Sequence, residues 1–316
     1  MTMTYPPIDP YTRGYLAREP HQRLYVEECG SPAGIPVVVL HGGPGSGCRA
    51  EQRALFDPAV FRIILPDQRG AGRSRPFGSL AGNDTDTLVA DLEALRRALE
   101  IQRWVVFGGS WGATLALRYA ARHPDRVSGL VLRGVLAGRR RDRDWVFGAD
   151  GVARLYPEAY RRFLSALPAD LRDSPLAGYA TLFTDQSAAT RRRAAEAWLA
   201  WEVHVATGGQ FGGRGDRPAV AVERAQIACH YAVNDFFLDP CEGALPAHGA
   251  LAGIPGAIVH GRRDLMCPVE QAFAVHERWP AATLEVVEDA GHLAGDAPMQ
   301  RALVAATDRL RDSPRH

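Results

Sequence analysis

The chain predicts an α/β fold with a mostly parallel central sheet and an inserted block of helices, and three observations carry that prediction. Short β-branched or aromatic runs end in Gly, Pro or Asp clusters, as buried strands do. Leucines at helical spacing fall between those runs. The alternation stops near residue 134 and resumes near residue 252, so the sheet is split in sequence.

The strands are expected at Ile35 to Leu40, Phe61 to Leu65, Trp104 to Phe107 and Val127 to Leu132. Between the second and third, Asp84 to Glu100 places Leu88, Leu92, Leu95 and Leu99 on one helix face. Trp111 to Arg122 reads as a helix stopped by His123-Pro124. The pattern resumes with a strand at Ile254 to His260, a helix at Val269 to Trp279, a strand at Leu284 to Val287 and a helix at Gln300 to Leu310. The intervening stretch is Arg- and Ala-rich, as in RRRAAEAWLAWEVHVA, and suits amphipathic helices. The expected division is therefore a core of residues 1–133 and 252–316 and a helical cap of 134–251, with a mobile loop at 208–218.

Composition narrows the partners. With 316 residues, 46% of them hydrophobic, and a net charge of +1, the chain is long enough for a large core and lacks a nucleic-acid or membrane-surface footprint. Every basic side chain other than histidine is Arg, and these are scattered. The opening residues put Pro, Arg and Asp where a secretory signal needs an apolar run, so a cytosolic protein with no membrane partner is expected, as a monomer or small homo-oligomer. Five cysteines in no ligand spacing argue against disulfides and against a zinc site, and neither metal nor cofactor is expected.

The chemistry begins at Gly108-Gly109-Ser110-Trp111-Gly112, where a strand runs through Gly-x-Ser-x-Gly into a helix. That context marks a nucleophile elbow: the small residues let the turn tighten and expose the Ser110 hydroxyl. Earlier, His41-Gly42-Gly43-Pro44-Gly45 follows a strand and offers a backbone N–H at Gly43, which with that of Trp111 forms the expected oxyanion hole. In an α/β-hydrolase fold the acid and the base follow the serine, on loops after the last strands. Asp264 and His292 occupy those places, with Asp289 as the rival acid. His41 and the Asp and Arg of the segment Asp67 to Ser74 read as structural supports of these loops.

HGGPG, DQRGAGRS, GGSWGATLAL, GRRD and AGH, together with YPPIDPY near the start, resemble the proline iminopeptidases over nearly the whole chain. The resemblance implies a serine aminopeptidase that removes an N-terminal residue, Pro above all, through an acyl-enzyme on Ser110. It also implies that Glu202, in Trp198-Leu199-Ala200-Trp201-Glu202, binds the substrate ammonium. Three positions depart from the family pattern: Ala228 stands where a second acid is usual, Leu136 where Phe is usual, and Phe147 where Tyr is usual. These changes retune the substrate pocket, so a small apolar acyl residue such as Ala is as suitable as Pro. Similar proteins include amide hydrolases that trim aminoacyl groups from polyketide intermediates. Two other readings use the same fold: a general esterase or lactonase, and a non-catalytic binding protein.

Overall fold

The computed structural model describes residues 4–19, 21–210 and 222–311. Most of the expected glycine-rich loop at 208–218 lies outside the described residues. One eight-stranded sheet organises the chain: β1 (Thr12–Arg18), β2 (Gln22–Gly30), β3 (Ile35–Leu40), β4 (Phe61–Pro66), β5 (Trp104–Gly109), β6 (Val127–Arg133), β7 (Gly256–Gly261) and β8 (Ala282–Val287). Their spatial order is β1-β2-β4-β3-β5-β6-β7-β8. The pairs β1–β2 and β2–β4 are antiparallel, and all the others are parallel.

The central strands read as continuous apolar runs because both faces of the sheet are covered. Val38, Leu40 and Val106 belong to one core cluster, whereas their neighbours Val37, Val39, Val105 and Phe107 belong to another, so successive side chains serve opposite faces. The helices α1 (Thr85–Ala98) and α2 (Trp111–Arg122) supply residues to the first cluster. Toward the other end of the chain, α8 (Glu270–Arg278) also joins the first, while α9 (Ala297–Arg311) joins the second.

Between β6 and β7 come α3 (Arg140–Phe147), α4 (Pro157–Ser165), α5 (Pro175–Phe183), α6 (Ala188–Ala206) and α7 (Val222–Val233). They bury a third cluster of their own, built on Phe147, Phe163, Tyr179, Trp198 and Trp201. Trp198 and Trp201 are three residues apart on α6 and therefore share a face.

The hairpin β1–β2 is absent from the sequence reading. Its first strand is largely exposed, and its second carries Arg23, Glu27 and Glu28 where an apolar run would have signalled a strand. Those acids are paired instead: Glu27 takes Arg53 at 2.6 Å and Arg73 at 2.8 Å, and Glu28 takes Arg62 at 2.6 Å. The strand expected from Ile254 starts at Gly256, since Pro255 has no N–H to give a ladder. The last helix begins three residues earlier than its apolar spacing indicates. All five cysteines are free thiols. No helix among the described residues is long and apolar enough to cross a membrane.

Candidate active site

Ser110 sits between β5 and α2 with φ 57° and ψ −125°, a left-handed conformation that a side chain rarely adopts and that the surrounding packing must hold. The glycine two residues on makes that packing possible. A Cβ at Gly112 would stand 2.1 Å from the Leu40 carbonyl oxygen, so only glycine lets α2 approach β3 this closely. The Ser110 N–H is anchored on the Arg133 carbonyl at the end of β6, at 2.9 Å.

His292, on the loop after β8, reaches Ser110 Oγ with Nε2 at 3.1 Å and Asp264 Oδ2 with Nδ1 at 2.7 Å. Since a carboxylate only accepts, Nδ1 carries the proton and Nε2 is left to receive one from the serine. All three side chains are buried. Burial pushes the Asp264 carboxyl upward, but the charge and hydrogen bond of His292, with His260 and the Cys267 N–H, hold it below its ordinary value. Asp289 is spent elsewhere, in an exposed pair with Arg263 at 2.7 Å. His260 accepts from the Val135 N–H and faces the Cys267 carbonyl.

Gly43 has φ 115°, a region open essentially to glycine, and the adjoining Gly42 lies so close to the elbow that a Cβ there would be 3.3 Å from Ser110 Cβ. The N–H of Trp111 opens α2 and so has no partner within its own helix. Gln68 joins these two elements, a role the sequence reading does not give it. It receives the Trp111 indole N–H at 2.9 Å, and its side-chain amide donates to the His41 carbonyl at 2.9 Å. Its backbone N–H donates to His41 Nε2, so His41 is neutral and lowered by burial, a support and not a base. Asp67 holds the same loops through the N–H groups of Cys48 and Arg73. A second residue missed in sequence is Arg133, which donates to the His292 carbonyl at 2.6 Å. Its signal was a lone cation ending an apolar strand.

The residues read on the helical side separate into two groups. Leu136 packs in the main core cluster with Trp111 and Ile227. Phe147 and Ala228 belong to the helical cluster, where Phe147 stacks on Trp198 at 4.7 Å between centroids. Glu202 Oε1 accepts the Trp198 indole N–H at 2.8 Å, and burial raises its carboxyl above the ordinary value. Neither Glu223 nor Asp235 stands in for the acid missing at Ala228. Glu223 lies against Gly78, and Asp235 pairs with Arg140 and Arg143.

Among the described residues, one group with metal-ligand character occurs, Asp264, Cys267 and His292, whose donor atoms lie within 4.8 Å of one another. Both nitrogens of His292 are committed to hydrogen bonds, and burial raises the Cys267 thiol well above its ordinary value, which opposes the thiolate a metal would need.

Fold and site define an α/β hydrolase, and residues 35–296 match the family described as the alpha/beta hydrolase fold. The chain is 44% identical over 311 residues to the proline iminopeptidase of Xylella fastidiosa, covering 98% of this chain and 99% of that one. It is 42% identical over 303 residues to that of Neisseria gonorrhoeae, covering 95% and 96%. Among solved structures, the proline iminopeptidase of Mycobacterium smegmatis superposes with a TM-score of 0.61 at 19% identity over 95% of this chain and 99% of that one, a likeness of fold. The chain belongs to the proline iminopeptidase family.

Proposed function

We propose that this protein is a serine aminopeptidase that frees an N-terminal proline, or a small residue such as alanine, from short peptides. The observation that carries the proposal is the Ser110–His292–Asp264 relay at the end of the sheet, in a chain 44% identical to a proline iminopeptidase. A general esterase and a non-catalytic binding protein are both less favoured by that combination.

In this reading His292, oriented by Asp264, takes the Ser110 proton as Oγ attacks the carbonyl carbon of the scissile amide. The developing oxyanion is met by the N–H groups of Gly43 and Trp111, each such donor contributing about a hundred- to a thousandfold in rate. Collapse breaks the C–N bond, and the His292 proton leaves with the amine. Water then attacks the ester, gives its proton to His292 and releases the acid, and the proton returns to Ser110.

Residues 134–251 act as the cap over a core of 1–133 and 252–316, and Glu202 receives the substrate ammonium beside Phe147 and Ala228. An open cleft of about 690 Å³ lies between the end of α6 and the His292 loop, lined by Thr207, Gln210, Arg263, Asp289 and Leu293. Five free thiols suit a reducing compartment such as the cytosol.

Ser110→Ala tests the proposal. It should lower kcat on prolyl and alanyl naphthylamides by several powers of ten and abolish labelling by a fluorophosphonate, with an unchanged melting curve. Full turnover in that variant would sink the assignment.

A further inference from the structure

Glu202 is not an isolated anion. Its Oε2 lies 3.8 Å from Arg224 Nη2, too far for a hydrogen bond and near enough for charge attraction. The two side chains are only 14% and 27% exposed. Arg224 Nε is buried and has no hydrogen-bond partner among the described residues. Ala228 follows Arg224 by one turn of α7, so this face of the helix presents a guanidinium and a methyl group.

The same stretch of α7 packs on the glycine loop beside the nucleophile. A Cβ at Gly45 would meet Arg224 O at 3.2 Å and Ile227 Cβ at 3.1 Å, and the charge of Arg224 acts on His41. Gly42, three residues before Gly45, adjoins Ser110 itself. Glu202 and Arg224 therefore form a pair of zero net charge, each with hydrogen-bonding capacity unspent. A bare ammonium uses only the carboxylate. A ligand bearing an ammonium and a carboxylate side by side uses both, and the planar fork of arginine matches a carboxylate in two places.

We propose that Arg224 is a specificity-determining residue and that, besides prolyl substrates, the site takes N-terminal aspartyl groups in preference to alanyl ones. The α-ammonium of aspartate goes to Glu202 and its side-chain carboxylate, two carbons away, to Arg224. The proposal rests on the aminopeptidase reading above, because it needs a free amino group at Glu202.

The test is kcat/KM on aspartyl, alanyl and prolyl naphthylamides for the wild type, Arg224→Leu and Arg224→Lys. Wild type should favour aspartyl over alanyl, and Arg224→Leu should lower that ratio about ten- to a hundredfold, chiefly through KM on the aspartyl substrate. Arg224→Lys should keep part of the preference, since it retains charge without the fork. Reading a ratio cancels any general loss from disturbed folding or from protonation of Glu202. Wild-type cleavage of alanyl and prolyl amides without an aspartyl preference would overturn the role of Arg224 while leaving the aminopeptidase reading intact. So would an equal loss on all three substrates in Arg224→Leu. Cleavage of none of them by the wild type would overturn both.

Discussion

Glu202 shows how one residue's surroundings set a pH dependence. Burial raises its carboxyl above the ordinary glutamate value, while Arg224 and the Trp198 indole pull the other way. The charged form is the one that holds an ammonium, and a raised value means that this form is lost sooner as pH falls. The ratio of rates on an amino-terminal amide and on an acetylated ester should therefore drop on the acid side, beginning above the ordinary glutamate value. Common effects on Ser110 and His292 divide out of that ratio. Glu202→Gln should flatten its acid limb and cut amide turnover far more than ester turnover. Equal losses on both substrates would show that Glu202 is only a structural partner of Trp198.

At the scale of helices and strands, α1 and α2 are joined by a buried acid. Glu93 takes Arg96 at 2.7 Å and Arg97 at 2.9 Å within α1, and receives the Tyr119 hydroxyl of α2 at 3.1 Å. The hydrogen bond from Arg96, foremost among these contacts, overcomes desolvation and holds its carboxyl at about 2, against an ordinary 4.5. A lowered value in the fold stabilises wherever the unfolded group is ionised, so the contribution is present above pH 4.5 and fades toward pH 2. With solvent screening allowed for, it amounts to roughly 1–2 kcal/mol. Glu93→Gln should lose that much in urea unfolding at pH 7, and the gap from wild type should close at acid pH. The sequence revealed α1 and α2 through leucine spacing and a Pro stop, and the elbow through a motif in strand–helix context. Asp264 was separable from Asp289 because it follows the strand before the one whose loop carries His292, whereas Asp289 shares that loop. Gln68, Arg133 and Arg224 were not legible, since each acts through a partner brought near only by folding. The hairpin β1–β2 was hidden for a related reason: its charges look like surface until their arginines arrive from Arg53, Arg62 and Arg73.

For the molecule as a whole, Arg133 is the tie between distant segments. It ends β6, its carbonyl holds the Ser110 N–H, and its guanidinium holds the His292 carbonyl. Arg133→Met should reduce kcat about ten- to a hundredfold with little change in KM, because it loosens the base without touching the pocket that binds substrate. Arg133→Lys should recover part of the loss, and a fall in thermal stability with unaltered kcat would instead mark a purely structural arginine. Ser110 and His292 are 182 residues apart in the chain, with the five helices α3 to α7 made between them. On the ribosome, the strand and helix that shape the elbow therefore emerge long before the base that arms it. In the proposed mechanism a partly synthesised chain carries a serine with nothing to take its proton, and turnover begins only when the segment bearing His292 has been made and docked.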